Sequence, residues 1–185
     1  VPSRASSIQL PVRTNRLLLR NWQPSDSAPF IAMGQDSQVM QFFPSVLSQA
    51  ESQAFIDRQQ SHITERGWGF WAIEHDGAFI GFTGLATVGF AAHFTPAVEI
   101  GWRLTPEAWG HGFATEAASA AIDIAFHSLG LDQVVSFTAS QNTPSRAVME
   151  RLGMTNEPAD NFDHPRLPEG HPLRAHVLYR ARPAA

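Results

Sequence analysis

A mixed α/β domain is the fold class the sequence predicts, and three stretches predict it. The run Trp68 to Val88, WGFWAIEHDGAFIGFTGLATV, holds two apolar segments joined by Asp76-Gly77, the dipeptide of a tight antiparallel hairpin. Val98 to Leu104 (VEIGWRL) alternates, with Val98, Ile100, Trp102 and Leu104 on one face and Glu99, Gly101 and Arg103 on the other. Beyond it, Ala118, Ile122, Ala125, Phe126 and Leu129 recur at helical spacing as one apolar stripe. Thr115, Ser119, Asp123 and His127 form a polar line beside that stripe.

The remaining elements follow in order. Arg16 to Asn21 (RLLLRN) is a short apolar run suited to an opening strand. Pro24, Ser25 and Asp26 then start a helix leading into Phe30, Ile31 and Met33. Ser48-x-x-Glu51 has the form of a capping box, and the stretch from there to Arg66 lacks proline, so a second helix precedes the glycines at 67 and 69. Both helices come before the main sheet. After the central helix, Gly130 is placed as its C′ residue, and Gln133 to Ala139 (QVVSFTA) is rich in strand formers. NTPSRAVMERLGM sets Pro144 at the first helical position and Gly153 just past the helix end. Asp160 to Arg174 carries Pro165, Pro168 and Pro172 and reads as irregular, and AHVLYRA is the last strand.

Composition narrows the function classes. A chain of 185 residues, 43% hydrophobic, suits one globular unit over residues 8–182, with residues 1–7 a flexible N-terminus. A net charge of -4 supplies no basic stripe for phosphate neutralisation, which argues against nucleic acid as a partner. The apolar runs are short and VPSRASS is polar with no hydrophobic core behind it, so neither a membrane span nor a secretory signal is read and a cytoplasmic location is expected. With no cysteine there is no disulfide framework, thiol nucleophile or thiolate metal site. All 13 Lys+Arg residues are arginine, so the chain offers no side-chain amine to a reactive acyl donor.

Between the strand ending at Leu104 and the helix lies TPEAWGHGFATEA, with Gly110 and Gly112 around His111. Such a strand-loop-helix aims unpaired backbone N–H groups and the positive end of a helix dipole at one point, where a phosphate fits. Glycine allows positive φ and close approach of the backbone to phosphate oxygens. The alternative is a turn that merely joins strand to helix. A dinucleotide fingerprint fails because position 115 is threonine and the strands form hairpins. A P-loop fails because the chain has no lysine.

Trp109-Gly110-His111-Gly112-Phe113-Ala114 resembles the phosphate loop of the GNAT superfamily of acyl-CoA-dependent N-acetyltransferases, Gln/Arg-x-x-Gly-x-Gly/Ala. Trp109 in place of Gln/Arg, followed by Ala-Thr-Glu, is similar to the RimJ/RimL branch, as is the Asn142 to Met154 helix segment with its Asn-x-x-Ser start. The resemblance runs from about Leu17 to Tyr179. It implies a GNAT fold, a mostly antiparallel twisted sheet flanked by helices and splayed between its fourth and fifth strands, with the pantetheine arm of acetyl-CoA in the gap. Main-chain groups near Trp102 and Leu104 would bond the arm, and the loop Trp109, Gly110, His111, Gly112, Phe113, Ala114, Thr115 would hold the pyrophosphate. Asn142 would bond the arm from the other side, with a helix-cap role as a compatible alternative. Arg146 would meet a CoA phosphate or stand solvated on the surface.

What the resemblance implies for chemistry is acetyl transfer from acetyl-CoA to a primary amine, a protein N-terminus included, by direct attack. Glu99 matches the family's Glu-Ile-Gly-Trp/Tyr position and is the candidate base, acting through water; the alternatives are an ion pair with Arg103 or a substrate-orienting role. Many members use a helix tyrosine as acid, but the only tyrosine here is Tyr179 on the last strand, so Ser145 is the candidate that assists thiolate departure. A noncatalytic acyl-CoA-binding or sensing module is the rival reading, and an enzyme for another phosphate-bearing ligand a more remote one. His164, His171 and His176 with Asp160, Asp163 and Glu169 match no metal-ligand spacing, so no metal is expected, and this proline-rich stretch reads as a substrate-cleft loop. Trp22, Trp68, Phe70 and Trp71 are candidates for an acceptor pocket or for core packing. The acceptor's identity is not read from the sequence, and homodimer formation stays open.

Overall fold

The computed structural model describes residues 8–183. The N-terminal segment 1–7, expected to be flexible, lies outside the described residues. Nine strands are described: β1 (Val12–Arg13), β2 (Leu18–Arg20), β3 (Phe70–His75), β4 (Ala78–Thr87), β5 (Val98–Leu104), β6 (Val134–Ala139), β7 (Thr155–Asn156), β8 (Phe162–Asp163) and β9 (Ala175–Ala181). The helices are α1 (Ser27–Gln35), α2 (Gln49–Arg66), α3 (Phe113–Asp123) and α4 (Thr143–Arg151). The strand order is β1-β2-β3-β4-β5-β6-β9-β7, with β8 added to β9.

Local chemistry explains most boundaries. Asp76 and Gly77 take φ of 49° and 78° and close the β3–β4 hairpin, the left-handed pair that a two-residue turn demands. Ser48 and Glu51 make both bonds of the capping box at the start of α2, and Gly67 ends that helix in the left-handed region. The first helix begins as a 3-10 turn, Pro24–Asp26. Asp26 is only 1% exposed there because both its oxygens accept from the guanidinium of Arg20, at 2.7 and 2.9 Å. Arg20 also donates to Glu74 at 2.6 Å, so one buried charge network joins β2, β3 and the entry to α1.

The sheet divides the core into two sides. Ile100 and Leu104 of β5 pack with Ala117, Ala118 and Ala121 of α3 and Met149 of α4. Phe82 of β4 lies in the cluster of Trp22, Phe30 and Ile56 beneath α1 and α2, while Val135 packs with Val88, Phe94 and Leu178. Every strand pairing is antiparallel except β5 with β6, which meet through a single parallel pair, Glu99 with Val135. Beyond that pair the two strands diverge. This is the opening expected between the fourth and fifth strands, which become β5 and β6 once β1 is counted.

Three sequence expectations need correction, and one open alternative is decided. Strand β1 lies ahead of the expected first strand. The proline-rich stretch is not wholly irregular, because Phe162 and Asp163 pair with His176 and Ala175 to form β8. Backbone pairing with an existing strand edge outweighs the local turn composition. The apolar stripe of the central helix is also displaced. Ala117, Ala118, Ala121, Ile124, Ala125 and Leu129 are buried, whereas Ile122 and Phe126 are only partly so; past Asp123 the helix widens into a π turn over Ile124–Ser128, which rotates the face that carries Phe126. Trp22, Trp68 and Trp71 are core residues at 4%, 6% and 0% exposure, leaving Phe70 alone of that group partly exposed.

Candidate active site

The loop after β5 is built from a 3-10 turn at Pro106–Ala108 followed by Trp109 to Gly112. Gly110 and Gly112 have φ of 77° and 79°, which a side chain would strain. Gly112 is the N-cap of α3 and offers no side-chain cap. The first helix bond runs from the Glu116 N–H to the Gly112 carbonyl, at 3.1 Å. The N–H groups of Phe113, Ala114 and Thr115 therefore have no carbonyl within the helix and point out of its positive end. A concave set of donors with glycine on one side suits an anion such as a pyrophosphate.

Two side chains hold this loop: Trp109, expected among the pyrophosphate-holding residues, and Arg16, which was not expected at the site. Trp109 is 43% exposed, yet its indole Nε1 donates to the Leu104 carbonyl at 3.0 Å and ties the loop to the end of β5. Arg16 is the other. Its Nη1 donates to the His111 carbonyl at 2.9 Å, its Nε donates to Glu116 at 2.7 Å, and its guanidinium lies 4.6 Å from the Phe113 ring centre. Thr14 donates to the same Glu116 carboxylate at 2.6 Å. These contacts span about a hundred positions, so no local spacing signals them. Phe113 itself is buried, and His111 stacks on it at 5.5 Å.

The strand gap begins at Glu99. Thr83 Oγ1 donates to the Gly101 carbonyl and the Thr105 N–H donates to Ile80, so the odd-numbered backbone groups of β5 turn toward β4. By alternation, those of Ile100, Trp102 and Leu104 turn toward the gap. The Leu104 carbonyl is already taken by Trp109, which leaves its N–H and both groups of Trp102 on the open edge.

Glu99 lies on the other face, at the pair where the gap closes. Its side chain keeps partial solvent contact, but the protein packed around the carboxyl pushes its pKa up to about 7, with Arg166 acting in the opposite direction. Arg103 forms no ion pair with Glu99: four residues along a strand separate their Cα atoms by about 13 Å. Its guanidinium is instead 4.2 Å from the Phe43 ring and 5.4 Å from the Phe82 ring.

The other predicted residues fall around α4. Asn142 is the N-cap: its Oδ1 accepts from the Ser145 N–H at 3.2 Å and its Nδ2 donates to Thr138 at 2.8 Å, leaving one side-chain hydrogen uncommitted. Ser145 is partly exposed and its hydroxyl makes no hydrogen bond among the described residues. Arg146 is partly buried, with Nη1 donating to the Ser140 carbonyl at 3.0 Å, and is not a freely solvated side chain. Tyr179 is 4% exposed, donates to Glu150 at 3.0 Å, and stands on β9, with β6 between its strand and the gap.

A histidine pair lies on the Glu99 face. His164 and His176 have ring centres 4.9 Å apart, among Phe90, Phe137 and Phe162. Burial, with His176 and Arg166 adding to it, pushes the His164 pKa down to about 4, and burial also lowers that of His176. Both are neutral at pH 7. No group of three or more His, Asp or Glu side chains among the described residues is arranged to hold a metal, and no described helix is long and apolar enough to cross a membrane. Surface depressions lined by Asp57, Arg58 and His62, and by Arg20, Gln23 and Glu74, include no residue of the loop or gap.

A sheet splayed beside a glycine loop at a helix N-terminus defines an acyl-CoA-dependent transferase class, and the sequence bears this out. Residues 16–155 match the acetyltransferase (GNAT) domain family, and the chain belongs to it. It is an N-acetyltransferase with acetyl-CoA as acetyl donor. The chain is 28% identical over 148 residues to the uncharacterized N-acetyltransferase YnaD of Bacillus subtilis strain 168, covering 79% of this chain and 83% of that one. The crystal structure of an acetyltransferase from Agrobacterium tumefaciens str. C58 superposes with a TM-score of 0.76 at 25% identity, over 99% of this chain and 100% of that one. Mycobacterium smegmatis RimJ in complex with CoA-disulfide shares the fold, with a TM-score of 0.72 at 20% identity over 90% and 81% of the two chains.

Proposed function

We propose that the protein transfers the acetyl group of acetyl-CoA to a primary amine, protein N-terminal α-amines among the fitting acceptors, by direct attack and as one catalytic unit acting in the cytoplasm. The observation that carries this reading is the placement of Glu99. A carboxyl whose pKa is raised to about 7 stands at the one pair where β5 and β6 still touch. A base poised near the working pH at the closed end of a gap suits proton removal from an incoming ammonium.

In this reading the free N–H groups of Phe113, Ala114 and Thr115, with the Gly110, His111 and Gly112 backbone, take the pyrophosphate. The pantetheine arm lies in the gap as a missing strand, bonded by Trp102 and the Leu104 N–H on one side and by the remaining Asn142 hydrogen on the other. Trp109 and Arg16 act by holding the loop, and Arg146 reaches a CoA phosphate only if it leaves Ser140. The acceptor enters on the Glu99 face as an ammonium and loses one proton to Glu99, directly or through water. The amine lone pair attacks the thioester carbonyl, and β5 N–H groups facing the gap stabilise the oxyanion. The C–S bond breaks as the amide forms, the amine's second proton leaves, and the thiolate is protonated. The balance is amine plus acetyl-CoA to acetamide plus CoA thiol. Ser145, with an uncommitted hydroxyl in the first turn of α4, donates a hydrogen bond to the departing sulfur. The absence of cysteine is consistent with direct transfer.

Thiol release measured over a panel of amines with acetyl-CoA tests the reading. Amine-dependent release is the expected result. Tight CoA binding with no release for any amine would favour the noncatalytic module instead.

A further inference from the structure

Arg103 is a half-buried cation without an anion among the described residues. Its Nε and Nη1 are shut off from solvent and have no hydrogen-bond partner among the described residues. No carboxylate offsets its burial, which draws its pKa down to about 10, still well above neutral pH, so it stays charged. The flat faces of the guanidinium meet Phe43 and Phe82, and such cation–π contacts compensate only part of the lost hydration. A residue held this way is costly to the fold unless something else pairs with it.

Its position indicates what that partner is. Arg103 shares the β5 face with Glu99, and only Gly101, against which the Phe70 ring packs, stands between them. The segment joining α1 to α2 lays Phe43, 40% exposed, on one side of the Arg103 guanidinium. An exposed aromatic side chain, Phe43, set against an unpaired guanidinium is the composition of a ligand subsite. A lone guanidinium walled by aromatic rings, in a chain with no lysine, matches a monoanion better than a phosphate dianion.

We propose that Arg103 binds a carboxylate of the amine acceptor, so that the acceptor carries an acidic group several bonds from its reacting nitrogen. The inference rests on the amine-acetylation reading, which places the nitrogen at Glu99. The Cα separation of about 13 Å along the strand sets the scale. An ω-amino acid, or a peptide with an acidic side chain close to its N-terminus, spans it better than the two-bond separation of a simple α-amino acid.

Matched acceptors test it: γ-aminobutyrate against γ-aminobutyramide, and alanyl-aspartate against alanyl-asparagine, both dipeptides as C-terminal amides, each assayed by thiol release with saturating acetyl-CoA. The carboxylate member of a pair should show a kcat/KM at least about 10-fold higher, mainly through KM. In Arg103→Met that member should lose roughly 30-fold and the two members converge. A melting temperature no lower than wild type and unchanged CoA affinity would show that the variant is folded. If it is not, competition in the wild type decides: butyrate, which lacks the amine, must inhibit competitively against the amine. Turnover without a carboxylate preference, a preference that survives in Arg103→Met, or no inhibition by butyrate overturns the assignment. No release from any amine would remove the acetylation reading itself and this inference with it.

Discussion

Replacing Glu99 by Gln keeps the side chain's shape and removes its ability to take a proton. The wild-type carboxyl is raised from an ordinary 4.5 to about 7 by burial, with Arg166 opposing. Two separate consequences follow. For catalysis, the base form dominates only above pH 7, so kcat/KM should rise about tenfold per pH unit below 7 and level off above it. Two acceptors of different amine pKa separate this inflection from that of the substrate, because only the latter moves. Glu99→Gln should lower kcat by roughly 10²–10⁴ near neutral pH, with CoA affinity retained, and should abolish the inflection near 7. For stability, a carboxyl whose folded pKa lies above its unfolded value favours the fold while protonated. That contribution is complete below about pH 4.5 and is lost as pH rises through about 7. It amounts to on the order of 3 kcal/mol for this displacement. Glu99→Gln never ionises, so it should match wild type at low pH and be the more stable protein above pH 7, as read by denaturant melts at several pH values. An inflection near pH 7 that persists in Glu99→Gln would refute the reasoning, since the titrating group would then lie elsewhere.

Three further substitutions separate structure from chemistry. Ser145→Ala should turn over more slowly with melting nearly unchanged, because the cap at this helix is made by Asn142; Asn142→Ala should cost about 1 kcal/mol by thermal melting. Wild-type turnover in Ser145→Ala would send the thiolate's proton to water. Asp26→Ala removes two of the charged hydrogen bonds of Arg20 and leaves Glu74 as its remaining carboxylate partner; it should cost about 1.5–3 kcal/mol, seen as a lower denaturant midpoint, with kcat per folded molecule unaffected. A loss below about 1 kcal/mol would mean that the Arg20 network is dispensable.

The elements legible in the sequence were those set by local chemistry. The Asp76-Gly77 hairpin, the Ser48–Glu51 cap and the alternation of Val98–Leu104 all depend on residues within a few positions of one another. So does the Gly110 and Gly112 loop, whose glycines adopt the left-handed conformation the loop requires. What escaped was set by distance. Arg16 reaches His111 and Glu116 across the sheet, β8 exists only because β9 offers an edge, and Arg103 lies too far along the strand to pair with Glu99. The π turn escaped for a different reason: one additional residue in a helical turn shifts the apolar face by a step that a regular repeat does not anticipate. The carboxyl of Glu99 was a candidate by position, but its raised pKa comes from burial in the folded chain, which no strand pattern announces.

The central claim is that the loop from Trp109 to Thr115 holds the phosphates of acetyl-CoA, and Gly112→Glu tests it most directly. A side chain at Gly112 would start 3.6 Å from Arg16 Nη2, so the new carboxylate can take that cation and the space in front of the α3 N-terminus. The left-handed φ of 79° adds a backbone strain of about 1 kcal/mol, small enough for the protein to stay folded. Titration calorimetry with CoA should give clear binding to the wild type and none to Gly112→Glu, with both proteins melting within a few degrees of each other. CoA affinity in Gly112→Glu equal to that of the wild type would contradict the assignment of the loop.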